Sequence, residues 1–224
     1  EVAKSCSGAA KRFIQTVKTL QKAEFPIKTI VETAREFAKK DNKTVEVFNS
    51  IFKKAFAEDG FDLDLTSSLE VGKALSVDFK GDVTVALSDF NKVADFCVSE
   101  KELALPKPTC VDLAKRIAIL SDRHGLPVGA RFIQTNRYYV EKKGPELTIR
   151  DALILAETLM KNHPAALDNF KLGYEYAISK NGLKLSKEQA INFGKQMAAM
   201  SVLESSPEAK QEATSIVPSE QEIS

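Results

Sequence analysis

Two stretches of this sequence lie on each other without a gap. Phe48–Leu75 reads FNSIFKKAFAEDGFDLDLTSSLEVGKAL, and Phe170–Met197 reads FKLGYEYAISKNGLKLSKEQAINFGKQM. Phe48 meets Phe170, Gly60 meets Gly182, Leu63 meets Leu185 and Gly72 meets Gly194. The same template fits from Phe90 and from Phe132, and each anchor Phe is followed 15 residues later by Leu63, Leu105, Leu147 or Leu185. A more degenerate copy comes first. There Phe13 precedes Phe25 by 12 residues, and RFIQT at Arg12–Thr16 recurs at Arg131–Thr135. A period near 40 residues is the mark of a repeat architecture, in which one supersecondary unit is copied and stacked.

The spacing within each copy makes the unit helical. An apolar residue recurs at Val31, Leu69, Val111, Leu153 and Ile191. A small residue follows three positions on, at Ala34, Gly72, Ala114, Ala156 and Gly194. A large one follows three further on, at Phe37, Leu75, Ile117, Leu159 and Met197. Steps of three fall on one face of a helix, and large–small–large lets a second helix approach over the small residue.

Turn signals fall between the halves of each unit. Asn181-Gly182 reads as a left-handed helix terminus. Ser186 with Gln189, and Thr148 with Asp151, read as N-caps with a reciprocal partner three residues on, and Asp64 as a simple N-cap. Pro106 and Pro108 fix the start of a helix in the third unit. Asp78–Val85 reads as a longer loop or a short extended piece.

The expected fold is all-α. Five helix–turn–helix repeats span about 3–40, 43–77, 86–122, 128–161 and 164–201, stacked as an α-solenoid or closed as a compact helical bundle. Together they make a helical-repeat domain over 1–203. Residues 204–224 are polar and Pro-containing and read as a flexible tail.

Composition narrows the function. A formal charge of +1 over 224 residues argues against nucleic acid, whose binders carry a marked basic excess. No apolar run reaches the roughly 18 residues a membrane span needs. No nucleotide loop, metal-ligand spacing or catalytic constellation is present, so the chain is read as non-catalytic, with no cofactor and no metal. His124 and His163 lie where helices end, where a cation suits the helix dipole.

Three features stand out as candidate sites. The fourth unit departs from the template at Asn136, and Arg137, Tyr138 and Tyr139 follow. With Arg131 these form the expected binding patch, because Tyr and Arg dominate interface energetics. The bland reading is a Tyr-bearing core helix. Arg35, Lys73, Lys115 and Lys195 follow the small residue in four units and would form a basic ridge or, more simply, a solvated helix edge. Cys97 and Cys110 occupy mirrored positions across one turn, and a disulfide is expected between them. The alternative is two buried thiols in small-residue slots. A disulfide implies an oxidising compartment, which together with the non-Met start points to a periplasmic or secreted protein; the alternative is a cytoplasmic one. The leading expectation is an interaction module for a protein or peptide partner. The second is a carrier of a lipid or other apolar small molecule between hairpins.

Overall fold

The computed structural model describes residues 2–204, with side chains from 8 to 200. Among them the fold is all-α. Helices run α1 Val2–Gln21, α2 Ile27–Ala38, α3 Asn42–Phe56, α4 Leu65–Ala74, α5 Val83–Val98, α6 Lys107–His124, α7 Gly129–Val140, α8 Ile149–Asn162, α9 Ala165–Ile178 and α10 Lys187–Glu204. The chain divides into two compact units, Glu1–Ala130 and Arg131–Ser224. The expected flexible tail lies outside the described residues. None of the described helices is long and apolar enough to cross a membrane.

Four connections share one geometry. Residues 57–64, 99–106, 141–148 and 179–186 join α3 to α4, α5 to α6, α7 to α8 and α9 to α10. In each, the anchor Leu donates its N–H back to the carbonyl eight residues earlier. Leu63 reaches Ala55 at 2.9 Å, Leu105 reaches Cys97 at 2.9 Å, Leu147 reaches Tyr139 at 2.8 Å and Leu185 reaches Ala177 at 2.9 Å. The residue before the anchor is left-handed every time: Asp62 (φ 52°), Ala104 (48°), Glu146 (48°) and Lys184 (54°). Glu24 (φ 54°) holds the same place before Phe25 in the shorter turn between α1 and α2. A non-Gly residue there costs about 1–2 kcal/mol, and the returning backbone hydrogen bond offsets it. The left-handed residue is therefore Lys184, not Gly182 as the dipeptide suggests. Gly182 answers a different need. A Cβ on it would lie 1.8 Å from the Tyr176 carbonyl oxygen, as one on Gly144 would lie 1.9 Å from that of Tyr138.

The large–small–large face is the packing surface. Phe48 and Phe170 are fully buried and sit against Gly72 and Gly194. A Cβ on Gly72 would come 2.9 Å from the Phe48 ring, and one on Gly194 would come 3.1 Å from the Phe170 ring. Phe37 meets Phe48 at 4.1 Å between centroids, and Phe48, Phe52 and Phe56 follow one another at 5.9 Å. These rings fill the core between α2, α3 and α4, and the fully buried Phe37, Phe48 and Phe52 are each worth about 3–5 kcal/mol against truncation. Within the first unit α1 packs on α2 and α3, α3 on α4 and α5, and α5 on α6. Ion pairs Lys43–Asp82 (2.7 Å) and Lys54–Asp95 (2.8 Å) tie α3 to the cap and body of α5.

Caps follow the sequence, with two corrections. Asp64 accepts from Thr66 and Ser67, Asp151 N–H donates to Thr148, and Ser186 and Gln189 bond reciprocally. α5 starts at Val83, inside the expected loop, because the Asp82 carboxylate caps the Thr84 N–H at 2.9 Å. His163 serves the following helix rather than the one it ends. Its Nδ1 accepts the Ala165 N–H at 3.1 Å, the role of an N-terminal cap.

The expected disulfide is absent. Cys97 and Cys110 are both fully buried free thiols. They fill slots that hold Ala55 with Ser68 and Ala177 with Ala190 in other hairpins. The Cys110 thiol donates to the Leu105 carbonyl at 3.3 Å, as the Ser68 hydroxyl does to Leu63 at 3.5 Å. Burial, with Cys110 alongside, pushes the Cys97 thiol up to about 12. Only a thiolate attacks a disulfide or an oxidant, and this pair is held protonated. The inference of an oxidising compartment loses its support with the bond. Cys6 lies outside the residues whose side chains are described.

Candidate binding clefts

Three of the five residues expected on α7 gather at one cleft. Arg131, Gln134, Thr135, Tyr138 and Tyr139 face Leu167, Asp168 and Lys171 of α9 across a space of about 220 Å³. These α7 positions recur at three and four residues, so one helical face carries them. Asn136 and Arg137 fall elsewhere. Asn136 is 1% exposed and donates its Nδ2 to the Phe132 carbonyl at 2.8 Å, a core role. Arg137 is exposed on α7 and is not among the lining residues.

The cleft is amphipathic. Arg131 approaches Asp168 at 3.5 Å, and the Lys171 ammonium lies 5.0 Å above the Tyr138 ring, in cation–π range. Tyr139 packs on Phe170 edge to face at 5.0 Å and is fully buried. Its hydroxyl and that of Tyr138 are buried without a hydrogen-bond partner. Burial raises both phenols above their ordinary value, with the nearby Glu175 carboxylate adding to the rise at Tyr138. Two protonated O–H donors therefore stand at a cleft flanked by an Arg and a Lys. Such a set can donate to a ligand's carbonyl or carboxylate oxygen.

A second cleft occupies the corresponding place in the first unit. The repeated RFIQT puts Arg12, Gln15 and Thr19 of α1 in register with Arg131, Gln134 and Tyr138. The offset of 122 between templates puts Glu46 and Asn49 of α3 in register with Asp168 and Lys171. Gln15, Thr19, Glu46, Asn49, Ser50, Lys53, Lys54, Ala57, Asp59 and Gly60 line a groove of about 610 Å³. Arg12 is drawn away from it, donating twice to the Ala38 carbonyl at 3.2 and 2.9 Å. Asn49 is 6% exposed, and neither its Oδ1 nor its Nδ2 has a partner. Sequence reasoning passed over this groove. The signal was the RFIQT pair, which places Gln15 where Gln134 stands.

A third, more apolar groove runs between α8 and α10. It holds about 540 Å³ and is lined by Leu147, Ile154, Leu155, Leu159 and Ile191, with Asp151, Thr158 and Lys195 at its edges.

The candidate basic ridge meets carboxylates along its course. Lys73 pairs with Glu36 at 2.7 Å, Lys115 approaches Asp112 at 3.7 Å, and Arg35 shares a shallow cleft with Glu32 and Glu36. Lys195 lines the α8–α10 groove, as Asp151 does. Partial neutralisation of this kind weakens any field that would attract polyanions. Comparison with protein-family models, with curated proteins and with solved structures found no match to this chain.

Proposed function

We propose that the chain is a non-catalytic interaction module that grips a protein or peptide partner. In this reading the chain is built from five hairpins of one register, and the α1–α3 and α7–α9 clefts are its gripping sites. The recurrence of one left-handed residue ahead of Phe25, Leu63, Leu105, Leu147 and Leu185 supports the count of five. The observation that carries the function is the pair of register-equivalent clefts. Both are open, both mix charges of each sign, and both hold buried polar groups without partners. Long surfaces of this kind suit polypeptide ligands, and unpaired buried polar groups cost free energy until a ligand satisfies them.

The test is selection of a random 12-residue phage-displayed peptide library on the immobilised protein, with binders mapped by amide chemical shift. Enriched peptides that perturb α1–α3 or α7–α9 uphold the reading. No enrichment over a blank surface defeats it.

The α8–α10 groove favours a second reading, a carrier of a lipid or other apolar small molecule. Native mass spectrometry of the purified protein decides it: an adduct of lipid-like mass, released on denaturation, supports the carrier.

A further inference from the structure

We propose that Asn49 is a clamp for the backbone of an extended peptide, and that the α1–α3 groove is built around it. This deepens the interaction reading and rests on it. Asn49 is more than nine-tenths buried at the wall of an open groove, with a donor and an acceptor both unpaired. A side-chain amide presents its N–H and C=O side by side. That is the complement of the C=O and N–H of a peptide residue in extended conformation, whose backbone carries no internal hydrogen bonds. One ligand residue can satisfy both ends at once. Gln15 offers a second amide from the facing helix, and Ser50 a hydroxyl.

The lining disfavours other ligands. It has no aromatic ring on which a base or sugar could stack. Lys53 and Lys54 are matched by Glu46 and Asp59, so a phosphate would meet carboxylates. Its side chains are almost all polar, which gives a lipid nothing to bury against.

The position recurs. Asn91 follows Phe90 as Asn49 follows Phe48, and its Oδ1 is likewise buried without a partner. It lies on α5, which packs on α3. Packed helices sit about 8–10 Å apart. A polyproline-II strand advances about 9.3 Å in three residues, one full turn, so the same edge of the peptide returns at each helix. An extended segment crossing α3 toward α5 would meet a second amide one turn on.

The test uses the full chain and the enriched 12-residue peptides from the selection above. Asn49→Leu is expected to weaken binding at least tenfold and to raise the Tm of the free protein by about 2–4 °C, since an apolar side chain relieves the unpaired amide. A merely structural amide, satisfied by a bound water, would lower the Tm instead. Ser50→Arg obstructs the groove from an exposed position and is expected to weaken binding more than fivefold at unchanged Tm. Asn91→Leu should cost about threefold. Affinity within twofold of wild type in both Asn49→Leu and Ser50→Arg overturns the clamp, as does a footprint confined to α7–α9. That last result leaves the interaction reading standing, whereas no enrichment on the wild-type protein removes both.

Discussion

The α1–α3 groove and the α7–α9 cleft start from the same register and end with different chemistry. At one position Thr19 stands where Tyr138 does. Opposite it Asn49 stands where Lys171 does. In the second cleft the ring and the ammonium come together at 5.0 Å, and the space falls to about 220 Å³ from about 610 Å³. In the first, two short side chains leave the groove open and an amide unpaired. One register thus carries a wide polar slot or a narrow aromatic one as its lining side chains change, with Tyr139 in place of Leu20 adding to these two exchanges. Repeat scaffolds diversify in this way because the hairpin geometry depends on other positions.

The strongest challenge to this equivalence is to remove its anchors. Phe48→Ala and Phe170→Ala should each destabilise by about 3–5 kcal/mol in urea unfolding, because both rings are fully buried over a glycine. A loss below about 1 kcal/mol at one site alone would break the comparison.

Alkaline titration should separate the clefts next. Tyr138 and Tyr139 hold their protons in the folded state to a higher pH than in the unfolded chain. Their contribution is complete below the ordinary phenol value near 10 and is lost as pH rises above it. Phenolate absorbance should therefore lag that of a free tyrosine, and Tyr138→Phe with Tyr139→Phe should flatten the fall in Tm. The α1–α3 groove, lined by no phenol or thiol, should not share that fall.

Exchanging the two side chains sharpens the comparison further. Thr19→Tyr with Asn49→Lys should narrow the first groove and cost groove-binding peptides about tenfold, or roughly 1.4 kcal/mol. Tyr138→Thr with Lys171→Asn should open the second cleft and let it take the same peptides. Fluorescence anisotropy measures both, and unchanged affinities would mean that the lining side chains do not set the ligand.

The smallest effect belongs to the thiols. Cys97→Ala should cost about 1 kcal/mol, since Ala55 and Ala177 fill the same slot. Both Cys97 and Cys110 should resist alkylation in the native protein. Both should react fully after denaturation without reductant, and protection then would restore the disulfide.

Much of the fold could be read from local chemistry. Asp64, Thr148 and Ser186 cap their helices because a side-chain oxygen one turn from a free N–H needs no tertiary information. The buried face could be read because Phe48, Gly72 and Leu75 recur at helical spacing. The candidate site was legible only in part. Arg131, Tyr138 and Tyr139 share a face by periodicity, but the adjacent positions 136 and 137 do not, and a list of unusual residues hides that rotation.

What the sequence by itself determined is the all-helical hairpin register, since capping, periodicity and turn length act over a few residues. Tertiary structure decided which polar groups lost water without gaining a partner. Asn49 is ordinary in sequence and becomes a candidate clamp only because the fold buries it, unpaired, at the wall of the α1–α3 groove. Cys97 and Cys110 mirror each other across one turn in sequence, but the fold does not bring them to disulfide distance. Burial holds Cys97 protonated, and Cys110 donates to the Leu105 carbonyl just before its own helix. Burial depends on residues distant in the chain, and so does the cost of an unpaired atom.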